Sequence, residues 1–331
     1  MLYIIGKMLA SSIVEYIRNS CATLGFSRVR ILSPYNPKVI LKEYLEDCDL
    51  ERNYWEGAES LLVAAMPYGN QGVSLKEGQP DTVAPFARRN YYAEAVSRFQ
   101  QLAQNLRQRW GGSRSDYRIL CNSPVPEKPL ALISGLGWQG KHSLVITPEA
   151  GSLIIIAAMT LPVTVPGDPP LPGIFPVETD PLRQPVALKR PVGYPACRIC
   201  GDQPRCAKAC PTGALDGMGG FKKERCIQWY ASGNGDGVPS DIAEVWGNRV
   251  YGCTLCQDAC PYNDRPIVGM VTDRGKLPDY FSPLWIQGAT NDALQDAVQG
   301  TALGMKWLGV SVLRRNAELA LAWNTKNTRG L

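Results

Sequence analysis

Between Cys197 and Pro261 the chain carries eight cysteines in two groups, and each group closes on Cys-Pro. The first group is Cys197-x2-Cys200-x5-Cys206-x3-Cys210-Pro211. The second is Cys226, a gap of 26 residues, and then Cys253-x2-Cys256-x3-Cys260-Pro261. In a run of this kind the first three thiolates wrap one iron–sulfur cubane, and the x3-Cys-Pro cysteine reaches across to the neighbouring one. Crossed ligation predicts one [4Fe–4S] cluster on Cys197, Cys200, Cys206 and Cys260, and a second on Cys226, Cys253, Cys256 and Cys210. Structural zinc also uses Cys-x2-Cys pairs, but it has no need of a trailing x3-Cys-Pro in both groups. Disulfides suit an oxidising compartment, and nothing else in the chain points to one.

At 331 residues, 45% of them hydrophobic, the chain suits about two domains with ample core. No apolar run reaches the ~18 residues of a membrane span. The N-terminus has no charged leader, long apolar stretch or cleavage site. These features predict a cytoplasmic protein that does not enter the membrane. The net charge of +5 is a mild tilt towards anionic partners. The single histidine, His142, excludes a His-rich metal centre and disfavours a Ser-His-Asp triad. General acid chemistry is then left to Tyr, Lys, Asp or Glu.

Apolar residues at helical spacing predict helices over 11–24, 38–45, 91–110, 291–298 and 311–323. Short strands are predicted over 29–32, 117–121, 144–146 and 152–159. Leu61 to Met66 is continuously apolar and ends at Pro67, the pattern of a strand buried on both faces. Helices alternating with strands up to residue 161 argue for an α/β arrangement. From Pro162 to Pro195 proline and glycine crowd out regular structure, which predicts a connector laid over the first domain. Gly135, Gly137 and Gly140 match G-x-G-x-x-G, but a strand-like stretch follows where a dinucleotide site requires a helix. A glycine-dense loop there still lets backbone approach a large ligand. Seven arginines between Phe86 and Arg118, interleaved with Phe86, Tyr91 and Tyr92, suit either RNA phosphates or a solvated helix face. The basic tail with Arg314 and Arg315 is open to the same two interpretations.

The ordered set Asp49-Leu-Glu-Arg52, Phe86-Ala-Arg-Arg-Asn-Tyr-Tyr92, Asn122-Ser-Pro to Glu127-Lys128, Gly135-Leu-Gly-Trp-Gln-Gly-Lys141, Glu149-Ala-Gly-Ser152, the cysteine module, Gly247-Asn-Arg-Val-Tyr-Gly-Cys253 and Leu313-Arg-Arg-Asn-Ala317 resembles the cobalamin-dependent epoxyqueuosine reductases, relatives of the reductive dehalogenases. The resemblance covers nearly the whole chain. It implies an α+β protein with four parts: a nitroreductase-like catalytic domain of α/β type (1–161), the Pro-rich connector (162–195), a ferredoxin-like double-cluster domain (196–265) and a small helical C-terminus (266–331). It implies base-off cobalamin with no histidine ligand from the protein, and two [4Fe–4S] clusters supplying electrons to it. It further implies reduction of epoxyqueuosine to queuosine in tRNA, a flavodoxin- or ferredoxin-type donor, and a monomer.

Carried over residue by residue, the resemblance puts cofactor contacts at Asn122, Ser123, Glu127, Lys128, Gly137, Trp138, Gly140, Lys141 and Ser143. Two family positions differ here. The family's catalytic acid is an aspartate where this chain has Asn122, and its Arg-Asp-Tyr-His is Arg89-Asn90-Tyr91-Tyr92. A neutral amide does not donate a proton as a carboxylic acid does, so Tyr91, Tyr92 and Lys141 become the candidate donors. The changes leave two alternatives beside the tRNA reductase. One is a cobalamin-dependent reductase or dehalogenase of a small molecule; the other is a non-catalytic electron-transfer or cobalamin-handling protein.

Overall fold

A computed structural model describes residues 2–32, 57–68, 81–168, 197, 199–264, 276–278 and 280–328. The helix expected over 38–45, the Asp49–Arg52 motif, Cys48 and most of the Pro-rich connector lie outside these residues. The first half contains α1 (Leu2–Thr23), β1 (Arg28–Leu32), β2 (Ser60–Pro67), α2 (Tyr91–Trp110), β3 (Ile119–Leu120), α3 (Glu127–Ile133), β4 (Trp138–Gln139), β5 (Val145–Ile146) and β6 (Ile154–Leu161). The cysteine-rich segment adds α4 (Arg205–Ala209), α5 (Ile227–Ala231), α6 (Ser240–Glu244) and α7 (Leu255–Asp258). The chain ends with α8 (Pro283–Gly288), α9 (Asn291–Val298) and α10 (Val310–Thr328).

All eight residues of β2 are buried, and the pleat divides them between two cores. Leu62, Ala64 and Met66 join Ile155, Ala157 and Met159 of β6 beneath α1 and α2, where Ile17, Phe99 and Leu102 fill the space. Leu61, Val63 and Ala65 face the opposite side, against Leu130 and Leu132 of α3. The alternation of helices and strands predicted an α/β sheet. The observed order is β1-β2-β6-β3, and every pairing is antiparallel. A continuous apolar run reports only that both faces are covered; strand direction follows from the connections. The architecture is therefore α+β.

Local chemistry explains the boundaries. The Asn90 side chain accepts the Ala93 N–H at 3.0 Å and caps α2. A neutral asparagine does this as well as an aspartate, so the lost carboxylate leaves the cap intact. Gly111, at φ +82°, follows the last residue of α2. The helix α3 escaped the sequence because Pro126 and Pro129 read as loop. Pro126 precedes the helix and Pro129 lies in its first turn, where the missing N–H has no partner to lose.

In the cysteine module α4 packs against α7. The C-terminal helices share one core with this module and with the segment before α2, through Val83, Ala87, Val250, Tyr251, Phe281 and Leu313. Polar ties reinforce it. Thr82 Oγ1 donates to the Phe281 carbonyl at 2.9 Å, and the Val250 N–H donates to the Thr82 carbonyl at 2.8 Å. No helix among the described residues is long and apolar enough to cross a membrane.

Candidate functional site

A cavity of about 400 Å³ lies between the sheet and the cysteine module. Phe86 and Tyr92 border it from the α2 region, Lys128 from α3, and His142 and Leu144 from the β4–β5 loop. Ser152 and Ile154 to Ile156 line it from β6 and the turn before it. The opposite wall carries Cys210, Cys226, Cys253 and Cys256.

The ten described cysteines are all free thiols, and the electrostatic neighbours within the module mostly follow two groups, although Cys256 also feels Cys206 of the first. Burial first, and then Cys197, Cys206 and Cys200, push the Cys260 thiol up to about 11. Cys206 is raised by burial, with Cys197 and Cys200 adding to it. Burial pushes Cys256 up to about 12, with Cys253 and Cys226 the next contributors, while Cys226 is raised by burial and then by Cys253 and Cys210. Cys210 differs from the rest. Burial raises it, but hydrogen bonds from Thr212 and from the N–H groups of residues 212 to 214 outweigh burial, and the thiol ends below its ordinary value. No three Cys, His, Asp or Glu side chains among the described residues are close enough to chelate a single ion.

On the sheet side, Lys128 Nζ donates to Ser143 Oγ at 2.9 Å, with Ser143 at φ +68°. His142 is 3% exposed. Its Nδ1 accepts the Leu144 N–H at 3.2 Å, which leaves the proton on Nε2, and that buried nitrogen has no partner among the described residues. Burial, reinforced by Lys128, pulls the imidazole down to about 4, so the ring is neutral at physiological pH. Glu127 is an electrostatic neighbour of Tyr92. Burial raises its carboxyl, opposed by backbone N–H groups that include Ser123 at 3.3 Å. Tyr92 is pushed up to about 12 by burial and then by Glu127.

The residues singled out in the sequence separate here. Tyr92 and Lys128 border the cavity. Tyr91 is a core residue, its ring 5.8 Å from that of Tyr68. Lys141 Nζ donates to the Gly201 carbonyl, in the loop after Cys200. Asn122 is exposed at φ +51° and is not part of the cavity wall. Trp138 packs against Cys197 and Cys260 instead of the cavity. Gly137 and Gly140 are filled by the chain itself. A Cβ would lie 2.2 Å from the Ile146 carbonyl oxygen at the first and 2.5 Å from His142 Cε1 at the second. These two glycines thus let the β4–β5 hairpin close on itself.

Sequence reasoning missed the network that joins the two walls. Gln257 Nε2 donates to the Ser152 carbonyl at 2.9 Å and to the Tyr68 hydroxyl at 3.1 Å. Asn263 Oδ1 accepts the Ser152 N–H at 2.8 Å, and its Nδ2 donates to the Gln257 carbonyl at 2.7 Å. The signal available was a polar Gln257 wedged between Cys256 and the Cys260-Pro261 closure. The basic residues also look different in three dimensions. Arg88 is buried and donates to the Val83 carbonyl at 3.1 Å. Arg89 and Arg98 pair with Glu94, and Arg109 lies 4.8 Å over the Tyr16 ring. Arg314 donates to the Ile286 and Ala289 carbonyls at 2.7 Å each, and Arg315 donates to that of Tyr230.

Residues 196–263 match the 4Fe-4S double cluster binding domain, so the chain carries a domain of that kind. Over 243 residues the chain is 29% identical to an epoxyqueuosine reductase of Burkholderia pseudomallei, covering 70% of this chain and 54% of that one. An epoxyqueuosine reductase of Alicycliphilus denitrificans is 30% identical over 244 residues, 70% of this chain and 59% of its own. The chain spans about half the length of these curated relatives. The solved epoxyqueuosine reductase of Streptococcus thermophilus superposes with a TM-score of 0.71 at 21% identity, covering 94% of this chain and 81% of that one. An epoxyqueuosine reductase crystallised with an epoxyqueuosine-modified tRNA-Tyr stem loop gives 0.67 at 21% identity, covering 95% and 82%. The likeness to these enzymes is thus present in sequence and in fold.

Proposed function

We propose that this chain is an iron–sulfur- and cobalamin-dependent reductase of the epoxyqueuosine reductase kind, acting on epoxyqueuosine in tRNA. The observation that carries the proposal is the two-sided cavity. One wall presents the four thiols assigned to the second cluster, and the other presents Tyr92, Lys128, His142 and Ser152. The four-part division of the chain, the cytoplasmic location and the monomer belong to the same proposal.

The cavity walls suit a corrinoid. Phe86, Leu144 and Ile154 to Ile156 offer apolar surface to a flat macrocycle. The unpartnered His142 Nε2–H is the donor that a peripheral amide carbonyl of such a ring needs. The Nδ1 contact with Leu144 keeps this histidine from acting as an axial ligand through that nitrogen. When bound, cobalamin supplies a low-potential metal-centred reductant. The protein's part is electron supply, orientation and the proton.

Cys197, Cys200, Cys206 and Cys260 form the entry point for electrons from a flavodoxin- or ferredoxin-type donor. Cys210, Cys226, Cys253 and Cys256 deliver them to the cavity. Removing an epoxide oxygen as water takes two electrons and two protons, and Tyr92 is the residue set to give the first proton. It borders the cavity, and burial together with the neighbouring Glu127 charge keeps it protonated at neutral pH, so that solvent restores the proton it gives. Lys128, held by Ser143, places a positive charge on the same wall. A related enzyme crystallised with a modified stem loop supports tRNA as the substrate carrier. The small-molecule alternative is favoured by one observation: the exposed Asn122 lies outside the cavity wall.

The deciding experiment supplies anaerobically purified protein, loaded with iron, sulfide and cobalamin, with an epoxyqueuosine-containing stem loop and a reductant. Mass spectrometry of the nucleosides is expected to show queuosine. Unchanged epoxyqueuosine from fully loaded protein refutes the substrate assignment, and turnover of a small electrophile by the same sample favours the small-molecule alternative.

A further inference from the structure

Trp138 stands in β4, away from the cavity, and none of the chemistry above uses it. Its indole Nε1–H is buried and has no hydrogen-bond partner among the described residues. A buried donor left without an acceptor is destabilising, so its position calls for a reason. The ring packs against the cluster of Ile146, Cys197 and Cys260, and its edge-to-face contact with Tyr262 at 5.3 Å and 74° fixes its plane. Neighbouring contacts hold the same hairpin to the same region. Gln139 Nε2 donates to the Gly219 carbonyl at 3.0 Å, and Lys141 Nζ donates to that of Gly201, just after Cys200. Gly137 lets β4 approach β5 closely enough to set this position.

We infer that the Trp138 indole N–H donates a hydrogen bond to a sulfur of the cluster carried by Cys197, Cys200, Cys206 and Cys260, and so raises that cluster's reduction potential. The inference rests on the assignment of those four cysteines to one cluster. Its physics is general. A one-electron reduction takes the [4Fe–4S] core from 2+ to 1+ and adds negative charge to the sulfurs, with no bond made or broken and no proton transferred. A donor aimed at a sulfur stabilises the reduced form more than the oxidised one, and hydrogen bonds to the sulfurs are among the factors that set cluster potentials. Trp138 would thus be a tuning residue, acting through the cluster without touching substrate.

The test compares the wild type with Trp138→Phe, both purified anaerobically and titrated with dithionite while electron paramagnetic resonance is recorded. Phenylalanine keeps an aromatic ring against Cys197 and Cys260 and removes the N–H donor together with part of the indole's bulk. One of the two midpoint potentials is expected to fall. A tenfold loss in the reduced-to-oxidised ratio at fixed poise is 59 mV for a one-electron couple. The other potential is expected to stay where it was. Wild-type protein grown with 15N-indole tryptophan provides a readout that disturbs no packing, and the reduced cluster is expected to show hyperfine coupling to that nitrogen. Unchanged potentials together with no 15N coupling, in protein holding its full iron and sulfide, overturn the inference alone. Protein with no cluster signal and no bound iron after anaerobic reconstitution overturns the cysteine assignment, and the inference falls with it.

Discussion

Replacing Gln257 with alanine tests how the two walls of the cavity are held together. Gln257 is 5% exposed; its Nε2 donates to the Ser152 carbonyl at 2.9 Å and to the Tyr68 hydroxyl at 3.1 Å. Each neutral hydrogen bond contributes about 1 kcal/mol net, and a buried hydroxyl left unpaired costs about 1–3 kcal/mol more. Tyr68 is buried and has no solvent to turn to. The sum is about 3 kcal/mol. For a chain whose m-value in urea is about 3 kcal/mol per molar, the unfolding midpoint drops by about 1 M. The assay is urea unfolding followed by circular dichroism under anaerobic conditions, on cluster-loaded protein. Tyr68→Phe alone costs about 1 kcal/mol, because Gln257 keeps Ser152. The double variant closes a cycle with a coupling of about 1 kcal/mol. A fall in midpoint below about 0.2 M for Gln257→Ala, or a coupling indistinguishable from zero, refutes the idea that this network docks the cysteine module on the sheet.

Three further outcomes follow from the site. The His142 pKa is depressed from 6.5 to about 4, so the unfolded chain binds the extra proton between those values. Stability from this group is complete above pH 6.5 and is lost as pH falls towards 4, by about 3 kcal/mol; subtracting the pH profile of His142→Asn from that of wild type isolates it, and a flat difference contradicts the assignment. Gly137→Ala drives a Cβ to 2.2 Å from the Ile146 carbonyl oxygen, and thermal unfolding should show it destabilised by about 1–3 kcal/mol, the usual cost of overpacking. Tyr92→Phe should lower the rate of oxygen removal by about 10²-fold or more, the usual contribution of a general acid, with corrinoid binding by absorbance titration unchanged; a rate within threefold of wild type clears Tyr92 of that role.

Much of the fold was legible because burial leaves a pattern. The helix over Tyr91–Trp110 and the helix over Asn291–Val298 are found where the apolar spacing put them. The strand at Leu61 to Met66 is present and extends one residue at each end. Strand direction was not legible, since a uniformly apolar strand hides its pleat. β3 falls inside the strand predicted over 117–121, whereas β4, two residues long, is too brief for any period to show. The cysteine spacing was legible because cubane geometry acts over a few residues. Of the polar side of the cavity, Tyr92 and Lys128 were singled out, but their meeting with His142 and Ser152 was not legible, because the four come from separate elements and meet only when the sheet forms. Arg314 and Arg315 show the opposite error: they read as a surface charge, yet their guanidinium groups are engaged with carbonyls of α8 and α5.

Asn316 in α10 is fully buried, and its Nδ2 donates at 3.0 Å to the carbonyls of both Ala231 and Val250. Those two residues lie inside the long interval that separates Cys226 from Cys253. The loop between those two cysteines is therefore pinned by a helix that emerges from the ribosome some sixty residues later. At typical synthesis rates of about 5–20 residues per second, several seconds pass in which Cys253 and Cys256 exist without that anchor. The separation of Cys226 from Cys253 and Cys256 is thus held by a contact that forms only once α10 has been made and has docked.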